Sequence, residues 1–346
     1  MAKTGLMTYS QVLEKLPPTK HLLLGNGFSI ACDDVFKYTN LFEFAKENGL
    51  NKRIQGVFNY LGTNNFEGVL RLLDDMAWMV KHYGLVTKEN KMPPIKEDLN
   101  EVKKALVEAV TKAHLPTPNK ISDERKARCV EFLAPYKNIF TTNYDLLLYW
   151  VSMHGLNQFA SSDCFRAPTD EPEAEYLVFH EHLGDERGIL FLHGAIHFYV
   201  KDGEVCKHSW IRDSQHRPLV ELIKEGLSKG QYPLFVAEGL PDKKLEQIQH
   251  SGYLSYCIGK LERIQKALVV FGLSLADSDK HICNAIADNA KLKDLYVGLF
   301  DSPNSKDSKA IKAHVKVMQE RRLKRSVEEL VIHYYDSKTV PVWDMV

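Results

Sequence analysis

Two polar side chains follow predicted strands, at the positions where parallel sheets usually carry catalytic residues. Asn143 follows the apolar run Asn138–Thr141, and His193 follows the run Gly188–Leu192. An asparagine amide can both donate and accept a hydrogen bond, as a group that orients a water or a ribose hydroxyl must. A histidine can titrate near neutral pH and serve as a general base. We therefore predict that Asn143 and His193 form a catalytic pair.

The histidine assignment has alternatives. The chain contains 14 histidines, and a single histidine is more often structural than catalytic. The strand-end position and the adjacent Gly194, which lets a ligand come close, favour His193. His197 follows shortly afterwards and is the main competitor for the role.

A glycine-rich turn follows the first apolar run, His21–Leu24, and has the sequence G-N-G-F-S over residues 25–29. Glycines allow a tight turn and a close approach of the backbone, and the N–H groups of a following helix favour an anion such as pyrophosphate. The same pattern also serves ordinary strand-to-helix turns. We predict ligand contacts from this turn through Gly25, Asn26, Gly27 and Ser29.

Polar residues also surround Asn143. Residues 141–145 read T-T-N-Y-D and precede an apolar helix start. Four hydrogen-bonding side chains exceed what one helix cap needs, so Thr142 or Asp145 would cap the helix and Asn143 is left for another role. Both Thr142 and Asp145 are included in the predicted binding site.

Two later strand ends complete the pattern. Gly272 and Ser274, in the G-L-S-L segment after Ala267–Phe271, suit a backbone-plus-hydroxyl grip on phosphate or ribose. The segment 277–281 behind them either extends this site or caps a helix. Asp301 follows another run and could accept from ribose hydroxyls, and Asp336 holds a similar position, although each could simply open a turn.

Short β-rich apolar runs alternate with segments of helical periodicity, which is typical of a parallel sheet covered by helices. We predict an α/β fold with a Rossmann-like parallel sheet, helices on both faces and a helical insertion. Ligands of such sheets bind outside the carboxyl ends of the strands. The runs are read as strands buried on both faces, and they are His21–Leu24, Asn138–Thr141, Gly188–Leu192, Pro233–Ala237, Ala267–Phe271, Leu295–Phe300 and Leu330–Tyr335.

The spacing of the runs predicts the domain organisation. We expect one domain over residues 1–346, with residues 40–130 as a helical insertion or subdomain, because apolar residues recur there at helical spacing. A loop around Lys91–Pro94 breaks this insertion. The segment Ser161–Glu175 is rich in Asp, Glu and Pro without periodicity, which predicts a loop on the surface or over a site.

Composition excludes several classes of partner. Lys plus Arg and Asp plus Glu both number 45, so no global field attracts nucleic acid or an anionic membrane. The basic segment Glu320–Arg325 is typical of a solvated helix face. No apolar run is long enough to cross a bilayer, and the first ten residues do not resemble a signal peptide. We expect a cytoplasmic protein with no membrane partner and no direct nucleic-acid contact.

The six cysteines give no sign of a metal or redox motif. No C-x-x-C pair occurs in the sequence. A zinc ribbon is therefore not expected, and we predict no metal ligands and no zinc. In a reducing cytoplasm the cysteines would be small buried hydrophobes.

Four of these motifs, taken together, resemble those of sirtuin-like NAD-binding domains. The sirtuin versions read G-A-G-x-S, T-Q-N-x-D, L-H-G and G-T-S-L. They correspond in order to residues 25–29, 141–145, 192–194 and 272–275, and the resemblance spans roughly residues 20–336. Asn26 replaces the alanine of the family, which leaves the phosphate contact of the first turn less defined.

The chain departs from the sirtuin lysine deacylases at the zinc module. Those enzymes carry four cysteines between the catalytic histidine and the G-T-S motif, whereas only Cys206 and Cys257 lie between His193 and Gly272 here. The chain looks more like zinc-less bacterial sirtuin-like proteins, several of which act in anti-phage defence by hydrolysing NAD.

The resemblance implies a role for each predicted residue. His193 would be the general base, and Asn143 and Asp145 would contact the nicotinamide end and its ribose. Pyrophosphate would lie on the first turn, and Gly272, Ser274 and Asp301 would lie near the adenosine half. NAD would be the substrate, and the protein would cleave its nicotinamide–ribose bond. In this role the protein would act as an anti-phage defence effector.

Two other functions stay open at the level of sequence. One is a non-catalytic module that binds NAD or ADP-ribose in a larger assembly, docked to a partner ATPase. The other is a protein deacylase or ADP-ribosyltransferase, which the missing zinc module disfavours. We also expect a homo-oligomer, with either a partner ATPase or a phage component as the trigger.

Overall fold

The computed structural model describes residues 5–84, 94–158, 161–170, 174, 176–183, 187–209, 217–229, 231–236 and 241–344. The strands in these ranges are β1 (Lys20–Leu24), β2 (Asn138–Thr141), β3 (Phe165–Arg166), β4 (Tyr176–Phe179), β5 (Gly188–Phe191), β6 (Gly194–Lys201), β7 (Glu204–His208), β8 (Pro233–Phe235), β9 (Lys266–Phe271), β10 (Leu292–Leu299) and β11 (Val331–Asp336).

The helices of the same ranges are α1 (Tyr9–Lys15), α2 (Gly27–Cys32), α3 (Tyr38–Glu47), α4 (Lys52–Leu61), α5 (Phe66–His82), α6 (Ile95–Ala113), α7 (Asp123–Leu133), α8 (Leu147–His154), α9 (Leu219–Ser228), α10 (Pro241–Gln249), α11 (Gly252–Leu261), α12 (Lys280–Asp288) and α13 (Lys306–Lys324). None of the helices in the described ranges is long and apolar enough to cross a membrane.

Six parallel strands form the main sheet, in the order β11-β10-β9-β1-β2-β5. Counted along the chain, this is the 3-2-1-4-5-6 order of a Rossmann sheet. The predicted fold class is confirmed, because the sheet is parallel and flanked by helices. Its central strands are continuous apolar runs buried on both faces.

The periphery of the sheet corrects two strand predictions. β11 lies at the sheet edge, and of its residues only Tyr335 is fully buried, because one side of an edge strand has no neighbour. β10 ends at Leu299, so Phe300 lies beyond the strand and is exposed. The prediction that both runs are buried on both faces to their ends was wrong.

A second sheet, antiparallel in the order β3-β4-β7-β6-β8, was not predicted. The run Pro233–Ala237 was assigned to the parallel sheet, but β8 pairs antiparallel with β6 at the edge of this second sheet, where a proline without an N–H is tolerated. Ala237 lies outside the described residues. The predicted loop Ser161–Glu175 also contains a strand of this sheet, β3.

The second sheet left a local signal in the sequence. β6 and β7 are joined by Asp202-Gly203, both with positive φ, at 52° and 86°. An Asp-Gly pair between two apolar runs is typical of a two-residue hairpin turn. Reading the chain only for strands followed by helices missed it.

Helices α3 to α7 occupy the chain between β1 and β2, where the helical insertion was predicted. Most of the loop predicted around Lys91–Pro94 lies outside the described residues, and Pro94 directly precedes α6. Buried apolar residues of these helices join the same core as the sheet. The division into one domain with an insertion stays a prediction.

The basic segment Glu320–Arg325 of α13 is partly internal. Arg322 is buried and donates to the carbonyls of Ala287 and Asn289 at the end of α12 (3.0 and 2.9 Å). Arg321 pairs with Asp288 at 2.7 Å. The segment therefore fastens α13 to α12, which was not expected of a solvated face.

At the centre of the sheet, the turn after β1 lies directly against the turn after β9. Gly27 donates its N–H to the Gly272 carbonyl at 2.9 Å, and a Cβ on Gly27 would lie 2.5 Å from the Gly272 Cα. Gly272 itself has φ +69°. Backbone lies on both sides of this contact, so neither turn can accommodate a side chain without moving.

We expect Gly27→Ala to lower the free energy of unfolding by about 1–3 kcal/mol or more, because the new methyl overpacks a backbone contact. Gly56→Ala is the control, because Gly56 lies inside α4 and a Cβ on it would meet nothing within 4 Å. There, helix propensity predicts a gain of roughly 0.5–1 kcal/mol. Urea titration measures both, and equal effects of the two substitutions would contradict the tight contact between the turns.

Candidate functional site

A cleft of about 1090 Å³ opens at the carboxyl ends of the parallel strands. It lies over the β1–β9 boundary, where the strand order reverses and where open α/β sheets bind their ligands. Nine of the eleven residues predicted for the site line this cleft. They are Asn26, Gly27, Thr142, Asn143, Asp145, His193, Gly272, Ser274 and Asp301.

The other two predicted residues, Gly25 and Ser29, lie beneath the cleft. The Gly25 N–H donates to the Phe271 carbonyl at 2.9 Å, and a Cβ on Gly25 would lie 2.5 Å from the Gly272 carbonyl oxygen. The amides of Gly25 and Gly27 are thus already used by the β9 segment. The glycines of the first turn serve its packing, and a contact from the turn to pyrophosphate stays a prediction.

A chain of hydrogen bonds fixes Asn143. Its Nδ2 donates to Ser29 Oγ at 2.8 Å, and Ser29 Oγ donates to Asp145 Oδ2. Asp145 Oδ1 accepts from the Leu147 N–H at 2.9 Å, but the N-cap residue of α8 is Leu146, so neither Thr142 nor Asp145 is the N-cap that was predicted. Ser29 is fully buried and therefore sets the orientation of the amide from below.

The orientation leaves one acceptor of Asn143 unsatisfied. Asn143 is 6% exposed, and its Oδ1 is a buried oxygen without a hydrogen-bond partner. A buried polar atom without a partner is costly and uncommon in proteins. Since Asn143 lines the cleft, the free oxygen is suited to accept from a hydroxyl or a water held there.

His193 is held just beyond β5 by its backbone. Its carbonyl accepts from the Val236 N–H at 2.8 Å. The next residue, Gly194, has φ +75°, and a Cβ there would lie 2.1 Å from the Leu234 carbonyl oxygen. This tight reversal turns the chain from β5 into the second sheet and leaves the imidazole at the cleft.

The imidazole of His193 has two close neighbours. Its Nε2 lies 2.9 Å from His281 Nε2 and 3.8 Å from Asp279 Oδ1. Burial, followed by the charge of Lys244 and by His281, lowers the pKa of His193 well below its usual 6.5. The side chain is therefore neutral at neutral pH. Because Nε2 is hydrogen-bonded to His281, it can accept a proton from a ligand only at Nδ1, in the tautomer whose Nε2–H donates to His281.

The segment 277–281 was left open between a ligand role and a helix cap. Asp277–Asp279 forms a short 3₁₀ helix, and Asp279 precedes α12 without a side-chain capping bond. His281, in the first turn of α12, is buried, and burial lowers its pKa to about 3. The segment thus surrounds His193 instead of capping α12.

Lys244 was not identified from the sequence as a residue near the site. It is 1% exposed, and its charge lowers the pKa of both His193 and His281. It lies in α10, away from any strand end, so the strand-end rule could not detect it. His197, the competitor of His193, packs against Tyr149 and Phe191 and does not line the cleft.

From His193 the cleft extends along the strand ends to the residues that follow β9 and β10. Ser274 and Asp301 are exposed there, with Phe300 and Lys338 as further lining residues. Asp336 accepts from the Lys338 N–H at 3.0 Å and so opens a turn, one of the two readings left open for it.

Carboxylates dominate the charge of the described cleft. Lys37 and Lys338 are its lysines, against the aspartates at positions 34, 145, 279, 301, 307 and 344. Asp145 is an exception, because burial raises its pKa above the usual value. Asp34 pairs with Lys37 and Asp344 with Arg125, so the negative charge of the cleft is concentrated at Asp279, Asp301 and Asp307.

The opposite wall comes from the chain between β1 and β2. Phe36, Tyr38 and Leu41 line it near α3, and Leu106 and Val110 line it from α6. In the sequence, the helical spacing of Leu106 and Val110 predicts core positions and gives no sign of a cleft. No functional role was therefore predicted for the residues of this wall. In the described residues, no group of three or more His, Cys, Asp or Glu is arranged to hold a metal ion.

We expect Asp145→Asn to reduce the dependence of stability on pH. The folded state raises the pKa of Asp145, mainly through burial, so its stabilising effect is fully present below the unfolded pKa of about 3.9 and is lost as pH rises through the folded pKa. Asparagine retains an acceptor for Leu147 but does not ionise.

The free energy of unfolding should therefore fall less steeply above about pH 4 in Asp145→Asn than in the parent. Urea titrations at several pH values measure it. Asp202→Asn, which removes an exposed carboxylate from the β6–β7 turn, is the control. Identical pH profiles for parent and Asp145→Asn would show that this carboxyl does not titrate differently in the fold.

The sequence matches the family model described as "Domain of unknown function (DUF4917)" over residues 22–343, and the chain belongs to that family. No curated protein sequence matches it.

Solved structures show a distant similarity. "Structure of Sir2Tm bound to a propionylated peptide" is 12% identical with a TM-score of 0.32, covering 90% of this chain and 96% of that chain. "Sir2-p53 peptide-NAD+" is 13% identical with a TM-score of 0.33 and the same coverages. Similarity this low carries no functional argument, so function must be inferred from the cleft itself.

Proposed function

We propose that this member of a family of unknown function is an NAD hydrolase that cleaves the nicotinamide–ribose bond. One observation carries the proposal: Asn143 and His193, which follow the neighbouring strands β2 and β5, line a single cleft. The amide has a free acceptor, and the imidazole is neutral. NAD is the substrate in this proposal, and no metal takes part.

The dimensions of the strand-end row support a dinucleotide. The site residues follow β5, β2, β1, β9 and β10, which are consecutive neighbours in the sheet. Four spacings of about 4.8 Å place the ends of this row about 19 Å apart. That length suits an extended dinucleotide, with its reacting ribose at the His193 end, better than a mononucleotide.

The reaction would use water as the nucleophile. The water oxygen bonds to C1′ of the ribose while the C1′–N bond breaks, and the electron pair of that bond passes to the ring nitrogen of nicotinamide, which leaves neutral. Neutral His193 takes one proton from the water, and Asn143 Oδ1 orients the water or a ribose hydroxyl by accepting from it. The products are nicotinamide and ADP-ribose.

Electrostatics favour the same step. Cleavage passes through an oxocarbenium-like state, so the ribose becomes positive as the bond breaks. Asp279 lies 3.8 Å from His193 Nε2, close enough to stabilise the histidine once it has taken the proton from the water.

We expect His193→Gln and Asn143→Ala each to reduce nicotinamide release by about 10²–10⁴-fold, the usual contribution of a positioned general base or its partner. Release of nicotinamide from NAD measures the rate. His197→Gln is the matched control, because His197 is equally buried but lies outside the cleft. Its activity should equal that of the parent.

A double variant at Asn143 and His193 that consumed NAD at the parental rate would remove the proposal. Tight NAD binding by the parent without nicotinamide release, under conditions that activate the protein, would favour the non-catalytic binding module. Transfer of label from NAD to a protein acceptor would favour the transferase.

The acidic limb of the pH profile gives a separate test. Because burial depresses the pKa of His193, the base stays unprotonated at pH values below the usual 6.5. We expect kcat/KM for nicotinamide release to hold its plateau at pH 6.5 and to fall only in more acidic solution, where His193 gains its proton. The limb should be absent from the residual activity of His193→Gln, and a limb centred above the usual histidine pKa would contradict a buried base.

The biological setting is part of the same proposal. Uncontrolled loss of NAD would kill the host cell, so the activity requires control. We assign the chain to cytoplasmic anti-phage defence as a homo-oligomer triggered by a phage component or a partner ATPase. The support for this assignment is the motif resemblance, and it is independent of the chemistry above.

A further inference from the structure

Phe300 occupies an unusual position for a large apolar side chain. It directly follows β10, yet it is 59% exposed and lines the cleft. Leu273 and Phe271 at the end of β9 also line the cleft but are buried, whereas the ring of Phe300 is exposed and does not pack into the core. An exposed aromatic ring inside a concave site is typical of a ligand contact.

The surroundings of the ring identify the kind of ligand. The ammonium of Lys338 lies 4.6 Å from the centre of the Phe300 ring and covers one face. Asp301 is adjacent and exposed, and its backbone carbonyl, not its carboxylate, accepts from Ser308 Oγ at 3.3 Å. A flat apolar face next to a carboxylate matches a nucleoside, whose base stacks and whose ribose hydroxyls donate.

The position of the reacting ribose decides which half of a dinucleotide lies here. The proposed reaction requires the nicotinamide ribose beside Asn143 and His193, at the opposite end of the row from Phe300. The ring of Phe300, with the Asp301 carboxylate adjacent to it, is then left for the other nucleoside. The neutral adenine base therefore fits the Phe300 end.

We propose that Phe300 is a stacking platform for the adenine base, with Asp301 accepting from the adjacent ribose. This inference rests on the proposed function and specifies the direction in which NAD lies along the strand ends. Since the base is remote from C1′, the contact stabilises ground state and transition state equally. Its loss raises KM and leaves kcat unchanged.

The experiment compares two half-molecules by calorimetric titration of the full chain. Phe300→Ala should weaken AMP binding roughly 5- to 150-fold, the range for base–aromatic stacking. Binding of nicotinamide mononucleotide should change little. Phe300→Trp should retain AMP binding, and Tyr232→Ala is the matched control, because Tyr232 is 57% exposed and lies outside the cleft.

Each outcome separates this inference from hydrolysis. Equal AMP affinity of parent and Phe300→Ala, or no AMP binding by the parent, overturns the platform, and nicotinamide release by the parent would still support hydrolysis. A loss of AMP affinity in Phe300→Ala with no nicotinamide release by the parent supports the platform and overturns hydrolysis. Weakened binding of both half-molecules overturns the assignment to the adenine half.

Discussion

The close backbone contact between the turns after β1 and β9 is the constraint on which the site depends. Gly25 and Gly27 lie against Gly272 with no room for a Cβ, and two backbone hydrogen bonds join the segments. Because β1 and β9 are adjacent at the reversal of strand order, this contact forms the floor of the cleft. Ser29, four residues beyond Gly25, is thereby placed to hold Asn143 and Asp145.

Burial shifts the pKa values of Asp145 and His193, at the reacting end of the cleft, in the directions that favour their neutral forms. It raises the pKa of Asp145, which favours the protonated carboxyl, and lowers the pKa of His193, which favours the neutral imidazole. Both effects reduce charge where the protein is densely packed. Asp301 and Asp307 are exposed in the cleft, whereas Asp279, beside the neutral His193, is buried.

Much of this arrangement could be predicted, because buried parallel strands are recognisable in the sequence as apolar runs. The residues that follow such strands lie at one edge of the sheet. Asn143, His193 and Gly272 were found in this way, and the structure brings them to one cleft. Residues outside strand ends were missed. Lys244 lies on a helix, and its approach to His193 depends on how α10 packs, which no local pattern encodes.

The second sheet and the cleft wall show the same limit. The Asp202-Gly203 turn was a readable hairpin signal that the expectation of helices after every strand obscured. The apolar residues Leu106 and Val110 have the spacing of an ordinary buried helix face, and only the tertiary fold shows that they border a cleft. Phe300 was read as part of a buried strand because its type fits one, and only the end of β10 at Leu299 reveals its exposure.

The most direct measurement is a crystal structure of the chain with ADP-ribose bound. We expect one molecule along the carboxyl ends of the parallel strands, with its terminal ribose within hydrogen-bond distance of Asn143 and His193. Its base would lie on the Phe300 side of the row. ADP-ribose bound at another surface, or bound in the cleft with its terminal ribose out of reach of both side chains, would contradict the proposed hydrolase site.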